Sequence, residues 1–261
     1  MCGGRFIPAS VVRACQHGLQ SSEGREDQTK AYVKLAVAYS NAGKPRRALR
    51  SLAIAQYYAP PANRWQHFLE LEMASNLLAI KQTADADRCL RRVMPHILEM
   101  PQTRSAGMLY AECCKLLCKT NVQLEKNGAA RSWLRRAMEA EDSLQLDGPL
   151  ASSLQLEAQI LSSLGKFQLA KESLITAAHI MDRSETDECL KCKVQLDIAI
   201  SEVEMGEVDP ARARLVGFLP TLRRKRDCHS AKLLPVAAQA LSYIVTPKRR
   251  LRRKTNPETV V

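Results

Sequence analysis

Apolar positions between Ala31 and Pro60 fall into two stripes. Tyr32, Leu35, Ala36 and Tyr39 recur at helical spacing on one face, and Ala48, Leu49, Leu52 and Ala55 repeat the pattern further on. Between them Gly43 interrupts the periodicity as a helix-ending glycine does. Pro45 fits the first turn of a second helix, where a missing N–H is tolerated, and Pro60 helps close the unit. The pattern predicts a helical hairpin. Two antiparallel helices joined by so short a turn approach closely only where small side chains occupy the crossing. Ala36 and Ala48 meet that need; a leucine at either position would overpack it.

The pattern returns in "LASSLQLEAQILSSLGKFQLAKESLITAAHIM", with Leu154, Ala158 and Leu161 before Gly165 and Ala170, Leu174 and Ala177 after it. Gly43, Gly165 and Gly206 each precede an alanine (Ala48, Ala170, Ala211) by five residues. Weaker units place Leu69, Met73, Ala74 and Leu77 before Ala86, Leu90 and Val93. Leu109, Cys113, Leu116 and Leu117 precede Ala130, Leu134 and Ala137, after what reads as a longer polar connection. Alanines of the second helices then sit at 48, 86, 130, 170 and 211, spaced by 38, 44, 40 and 41 residues. The expected fold is all-α: an α-solenoid of about five stacked helical hairpins. We expect the array over residues 27–246. Residues 1–26 would hold an N-terminal helix from an earlier repeat, read at Ala9 to Leu19, and residues 247–261 a basic, disordered tail. Cys228 to Val245 would cap the array, with Pro235 starting, kinking or breaking that helix.

The first unit resembles a tetratricopeptide repeat. Counted from Thr29, the marked positions of that superfamily hold Tyr32, Leu35, Ala36, Tyr39, Ala48, Leu52, Ala55 and Pro60, with Ala36 replacing the usual glycine. The order of elements also resembles the C-terminal region of the subunit-five family of the anaphase-promoting complex. Carrying this likeness are "AYVKLAVAYSNAGKPRRALRSLAIA", "ADADRCLRRVMPHILEM", "SAGMLYAECCKLL" with the long connection after it, "ARSWLRRAMEAEDSL" and "SLQLEAQILSSLGKFQLAKES". It covers Asp27 to Ala178, and its most distinctive points are Met94-Pro95-His96-Ile97-Leu98 and the third connection. The resemblance implies a noncatalytic scaffold that contacts other subunits of a ubiquitin ligase acting on mitotic regulators. An alternative is a tetratricopeptide adaptor in a chaperone, transport or motor complex, since one solenoid serves many roles. A basic helical-repeat protein that binds nucleic acid ranks third.

Composition supports helices: Ala, Leu, Arg, Lys, Gln and Glu abound and aromatics are 5% of the chain. The formal charge is +12, but Arg223–Arg226 and Lys248–Lys254 carry ten of those charges between them. A nearly neutral body argues against nucleic acid as the main partner. Lys248, Arg249, Arg250, Arg252, Arg253 and Lys254 form a candidate nuclear-import signal, and Thr246, before Pro247, a candidate proline-directed phosphosite.

Catalytic chemistry is not expected. Cys189-Leu190-Lys191-Cys192 has no second pair at zinc-finger spacing, and the five histidines are scattered singly. There is no G-x-S-x-G, P-loop or dinucleotide fingerprint. We expect no catalytic residue, metal, cofactor or small-molecule substrate. No apolar run approaches the ~18 residues of a membrane span. "MCGGRFIPAS" lacks the apolar core of a secretory signal, and Cys2 stands where myristoylation requires glycine. Nine cysteines, mostly inside apparent helices, read as buried thiols in a reducing compartment, nuclear or cytoplasmic. Val33 and Val37 occupy positions where a carboxylate-gripping tetratricopeptide domain carries donors, so an apolar groove for a partner helix or adjacent subunit is the better expectation. Trp65 and Trp133 are candidate anchors for such an interface.

Overall fold

A computed structural model of the chain describes residues 24–60, 64–183, 188–224 and 228–245. Among these residues there are eleven helices and no strand. They are α1 Arg25–Asn41, α2 Pro45–Tyr58, α3 Arg64–Ala79, α4 Thr83–Glu99, α5 Arg104–Gln123, α6 Asn127–Ser143, α7 Asp147–Ser163, α8 Phe167–Arg183, α9 Glu188–Glu204, α10 Val208–Arg224 and α11 Cys228–Val245. Helices pair as antiparallel hairpins, α1/α2, α3/α4, α5/α6, α7/α8 and α9/α10, and α11 follows the last. This is the all-α helical-repeat solenoid. The expected N-terminal helix at 9–19, Thr246 and the basic run from Lys248 all lie outside the described residues.

One turn design serves all five hairpins. At the first, the Lys44 N–H donates to the Tyr39 carbonyl at 2.9 Å and the Gly43 N–H to the Ser40 carbonyl at 3.0 Å. Two of the carbonyls that a helix end leaves open are thereby satisfied, provided the turn residue is left-handed. Gly43, Gly165 and Gly206 take φ of 70°, 72° and 80°. In the second and third hairpins the same place is held by Lys81 and Glu125, at 63° and 59°. Each left-handed residue lies five before the alanine of its second helix: Ala48, Ala86, Ala130, Ala170 and Ala211.

The connection between α5 and α6 corrects the sequence-based expectation of a long polar loop. Helix α5 runs on to Gln123, and only Leu124, Glu125 and Lys126 join it to α6. Its polar residues are absorbed into the helix. Thr120 and Asn121 donate back to the Leu116 and Leu117 carbonyls, both at 2.8 Å, and the Gln123 amide reaches the Leu78 carbonyl of α3 at 3.2 Å. The lengthened spacing there comes from a 20-residue helix. Pro95, Pro220 and Pro235 all lie inside helices, so α11 passes through Pro235.

The chain groups into two compact units, one ending at Ser153 and one beginning at Leu154, with the division inside α7. In the first unit a cluster of Val33, Ala36, Ala48, Leu52, Ala55 and Leu69 binds α1, α2 and α3, with Tyr32 and Tyr39 half-buried against it. A second cluster spreads from Leu71 of α3 through Leu90 and Val93 of α4 and Leu117 of α5 to Ala137 of α6. In the second unit Leu196, Ala199, Ala211, Leu215, Ala237 and Ile244 join α9, α10 and α11. Leu35, Ala86, Ala130, Ala158, Ala170 and Ala177 are buried as well. Pro60 is half-buried and Gly165 exposed. A Cβ on Gly165 would meet nothing within 4 Å, so its part in the turn is conformational and not one of packing.

A candidate partner-binding groove in the first unit

The first helices α3 and α5 pack side by side, and between them and the start of α7 lies a groove. Its volume is about 560 Å³. Trp65, Phe68 and Leu71 come from α3 and Met108, Leu109 and Leu116 from α5, while Met100, Leu146 and Pro149 close the sides. Trp65 meets Phe68 edge to face, with centroids 6.2 Å apart. The size and apolar lining are those of a ligand-sized site with a few placed polar groups.

The charged ones are Glu72, Glu112, Glu141 and Lys115. Lys115 lies 2.9 Å from both Glu112 and Glu141, and the Ser153 hydroxyl donates to the second Glu141 oxygen at 2.6 Å. Glu141 is fully buried, and its charge is held by the Ser153 hydrogen bond on one oxygen and the Lys115 ion pair on the other. Burial pulls the Lys115 ammonium down, but Glu112 and Glu141 more than offset it, and the group stays above the ordinary lysine value. Glu72 also lines the groove. Burial pushes its carboxyl up, the nearby Glu112 pushes it further, and no cation pairs with it among the described residues.

Trp65 thus lines the groove, whereas Trp133 packs partly buried on the α3–α6 cluster, with the Arg136 guanidinium 4.8 Å from its ring centre. Val33 and Val37 belong to the α1/α2 cluster. His96 is exposed in the last turn of α4 and stacks on His67, with centroids 5.9 Å apart. Cys113, Cys114, Cys118 and Cys192 are buried. Burial pushes the Cys113, Cys114 and Cys118 thiols up to about 12, 11 and 12, so they stay protonated and unreactive near neutrality. The Cys189 side chain lies outside the described residues. Among the described residues no group of three or more His, Cys, Asp or Glu is arranged to hold a metal. None of the described helices is long and apolar enough to cross a membrane.

The sequence reading overlooked Glu72, Glu112, Lys115, Glu141 and Ser153. One signal was there for Glu141. It continues the apolar register of Ala130, Leu134 and Ala137 by one further turn, so a carboxylate stands where a core residue is due.

These hairpins and their shared turn define a tetratricopeptide-like helical-repeat fold. No protein-family model matches the chain, and no curated protein does. Solved structures do. A Rap protein complexed with Competence and Sporulation Factor superposes with a TM-score of 0.72 at 13% identity, over 92% of this chain and 70% of that one. A tetratricopeptide-repeat protein of Thermus thermophilus gives 0.58 at 18% identity, over 82% and 99%. The signal-transduction ATPase with a tetratricopeptide repeat sensor from Pyrococcus horikoshii gives 0.70 at 12%, and there this chain spans 34% of the larger protein. At such identities the likeness is one of fold.

Proposed function

We propose that the chain is a noncatalytic interaction subunit, and more specifically a scaffold of an anaphase-promoting-complex-type ubiquitin ligase that supports ubiquitination of mitotic regulators. The observation carrying the interaction role is the apolar groove across three hairpins, whose one ammonium among the described residues is committed to two carboxylates. Such a site offers surface for a protein partner. The Rap structure, complexed with Competence and Sporulation Factor, is a precedent for this fold in a complex. The ligase assignment rests on the ordered resemblance from Asp27 to Ala178. The third connection, helical here, no longer adds to it.

Purification of the tagged chain from dividing cells tests the assignment. Cullin-type and RING-type ligase subunits should copurify stoichiometrically. Their absence removes the ligase reading, and chaperone, transport or motor proteins in their place establish the adaptor alternative. We place the chain in the reducing nuclear and cytoplasmic compartments, with the run from Lys248 to Lys254 directing import and Thr246 as the phosphosite beside it.

A further inference from the structure

The groove between α3, α5 and α7 has an unbalanced floor. Three carboxylates, Glu72, Glu112 and Glu141, face one ammonium, Lys115. Glu141 is satisfied by Lys115 and Ser153, while Glu112 has only a share of Lys115. Glu72 has no cationic partner among the described residues and faces Glu112, the like charge that helps raise its carboxyl. A formal excess of two negative charges therefore lies in the groove, Glu72 partly buried beside apolar walls and Glu112 half-exposed at the rim.

An anionic ligand would add to this repulsion. A cation placed between Glu72 and Glu112 would relieve it, and charge-assisted hydrogen bonds in such surroundings are strong. Beside that position the walls are aromatic and thioether: Trp65 and Phe68 line them, and Met100 and Met108 have unbranched chains that adapt to differing shapes. A volume of about 560 Å³ admits a few side chains but not an entire helix.

We infer that the groove docks a partner-protein segment in which a lysine or arginine lies beside a bulky apolar side chain. The cation sits between Glu72 and Glu112, and its apolar neighbour packs against Trp65, Phe68 and Met108. This rests on the protein-interaction reading of the groove and not on the ligase assignment.

The test is selection of short peptides displayed on phage against the immobilised full-length chain, followed by binding measurements on the synthetic winners. Enriched sequences should pair Lys or Arg with Leu, Ile, Met, Phe or Trp. Their affinity should drop about tenfold on the Glu72→Gln/Glu112→Gln variant, as expected for one charge-assisted hydrogen bond, and fall with salt. Replacing the peptide's cation by glutamine should cause a similar loss, and the two losses should not add. Met108 is half-exposed, so Met108→Lys leaves the fold intact while placing a positive charge at the groove, and should abolish binding. Circular-dichroism melts of both variants verify folding. No enrichment, enrichment of acidic or uncharged peptides, or unchanged binding by both variants overturns the inference. So does spermine displacing the winners at equal affinity, which would make the ligand a small polyamine. Copurification without ligase subunits leaves this result untouched, so the two failures are separable.

Discussion

Lys115 shows how one side chain can hold a fold and shape a site together. Replacing it by alanine strands the fully buried Glu141, and we expect a loss of about 3–5 kcal/mol in urea unfolding. Lys115→Met with Glu141→Met removes both charges and should recover most of that loss. Asp197 of α9 presents a different case. Burial pushes its carboxyl up to about 6 from 3.8, with Lys193 opposing. The folded chain therefore holds a proton that the unfolded chain has released, and stability falls as pH rises through that window. Asp197→Asn should raise stability at pH 7 by up to about 3 kcal/mol, the gain shrinking towards pH 4. Paired thermal melts at the two pH values check the sign.

At the scale of the element, the hairpin turn and the helix crossing were legible to different degrees. The alanines at 48, 86, 130, 170 and 211 could be read directly, because a small residue recurring inside an apolar stripe has a steric meaning. Three turns were marked by glycine. The other two escaped, because Lys81 and Glu125 reach left-handed φ despite carrying a Cβ, and residue type gives no warning of it. Lys81→Gly should therefore stabilise by roughly 1 kcal/mol and Gly43→Ala destabilise by as much, read by shifts in the denaturation midpoint. The groove's charges were illegible for another reason. Glu72, Glu112 and Glu141 stand far apart in the chain, and helical periodicity assigns a residue to a face without saying which faces meet. At the crossing itself, Ala48→Leu adds bulk at a fully buried site of the α1–α3 cluster and should cost about 1–3 kcal/mol by the same assay.

For the whole molecule, charge separates from architecture. Ten of the twelve net positive charges belong to two short runs, one starting in the last turn of α10, so polyanion binding is expected to belong to those runs and not to the faces of the other repeat helices. Deleting residues 247–261 and changing Arg223–Arg226 to glutamine should abolish salt-sensitive retention on heparin, while the helical circular-dichroism signal persists. Retention by the altered chain would return the repeats to consideration as a nucleic-acid surface. In cells the deletion alone should shift the chain to the cytoplasm; unchanged nuclear accumulation would remove the import role of the Lys248–Lys254 run.

The five buried alanines also bear on how such a chain can diverge. A leucine in these clusters has neighbours in volume, and isoleucine or methionine can replace it with modest repacking. Alanine has none: every other residue except glycine is larger, and glycine loosens the helix. Drift is therefore expected to change the long side chains first and to leave these methyls in place.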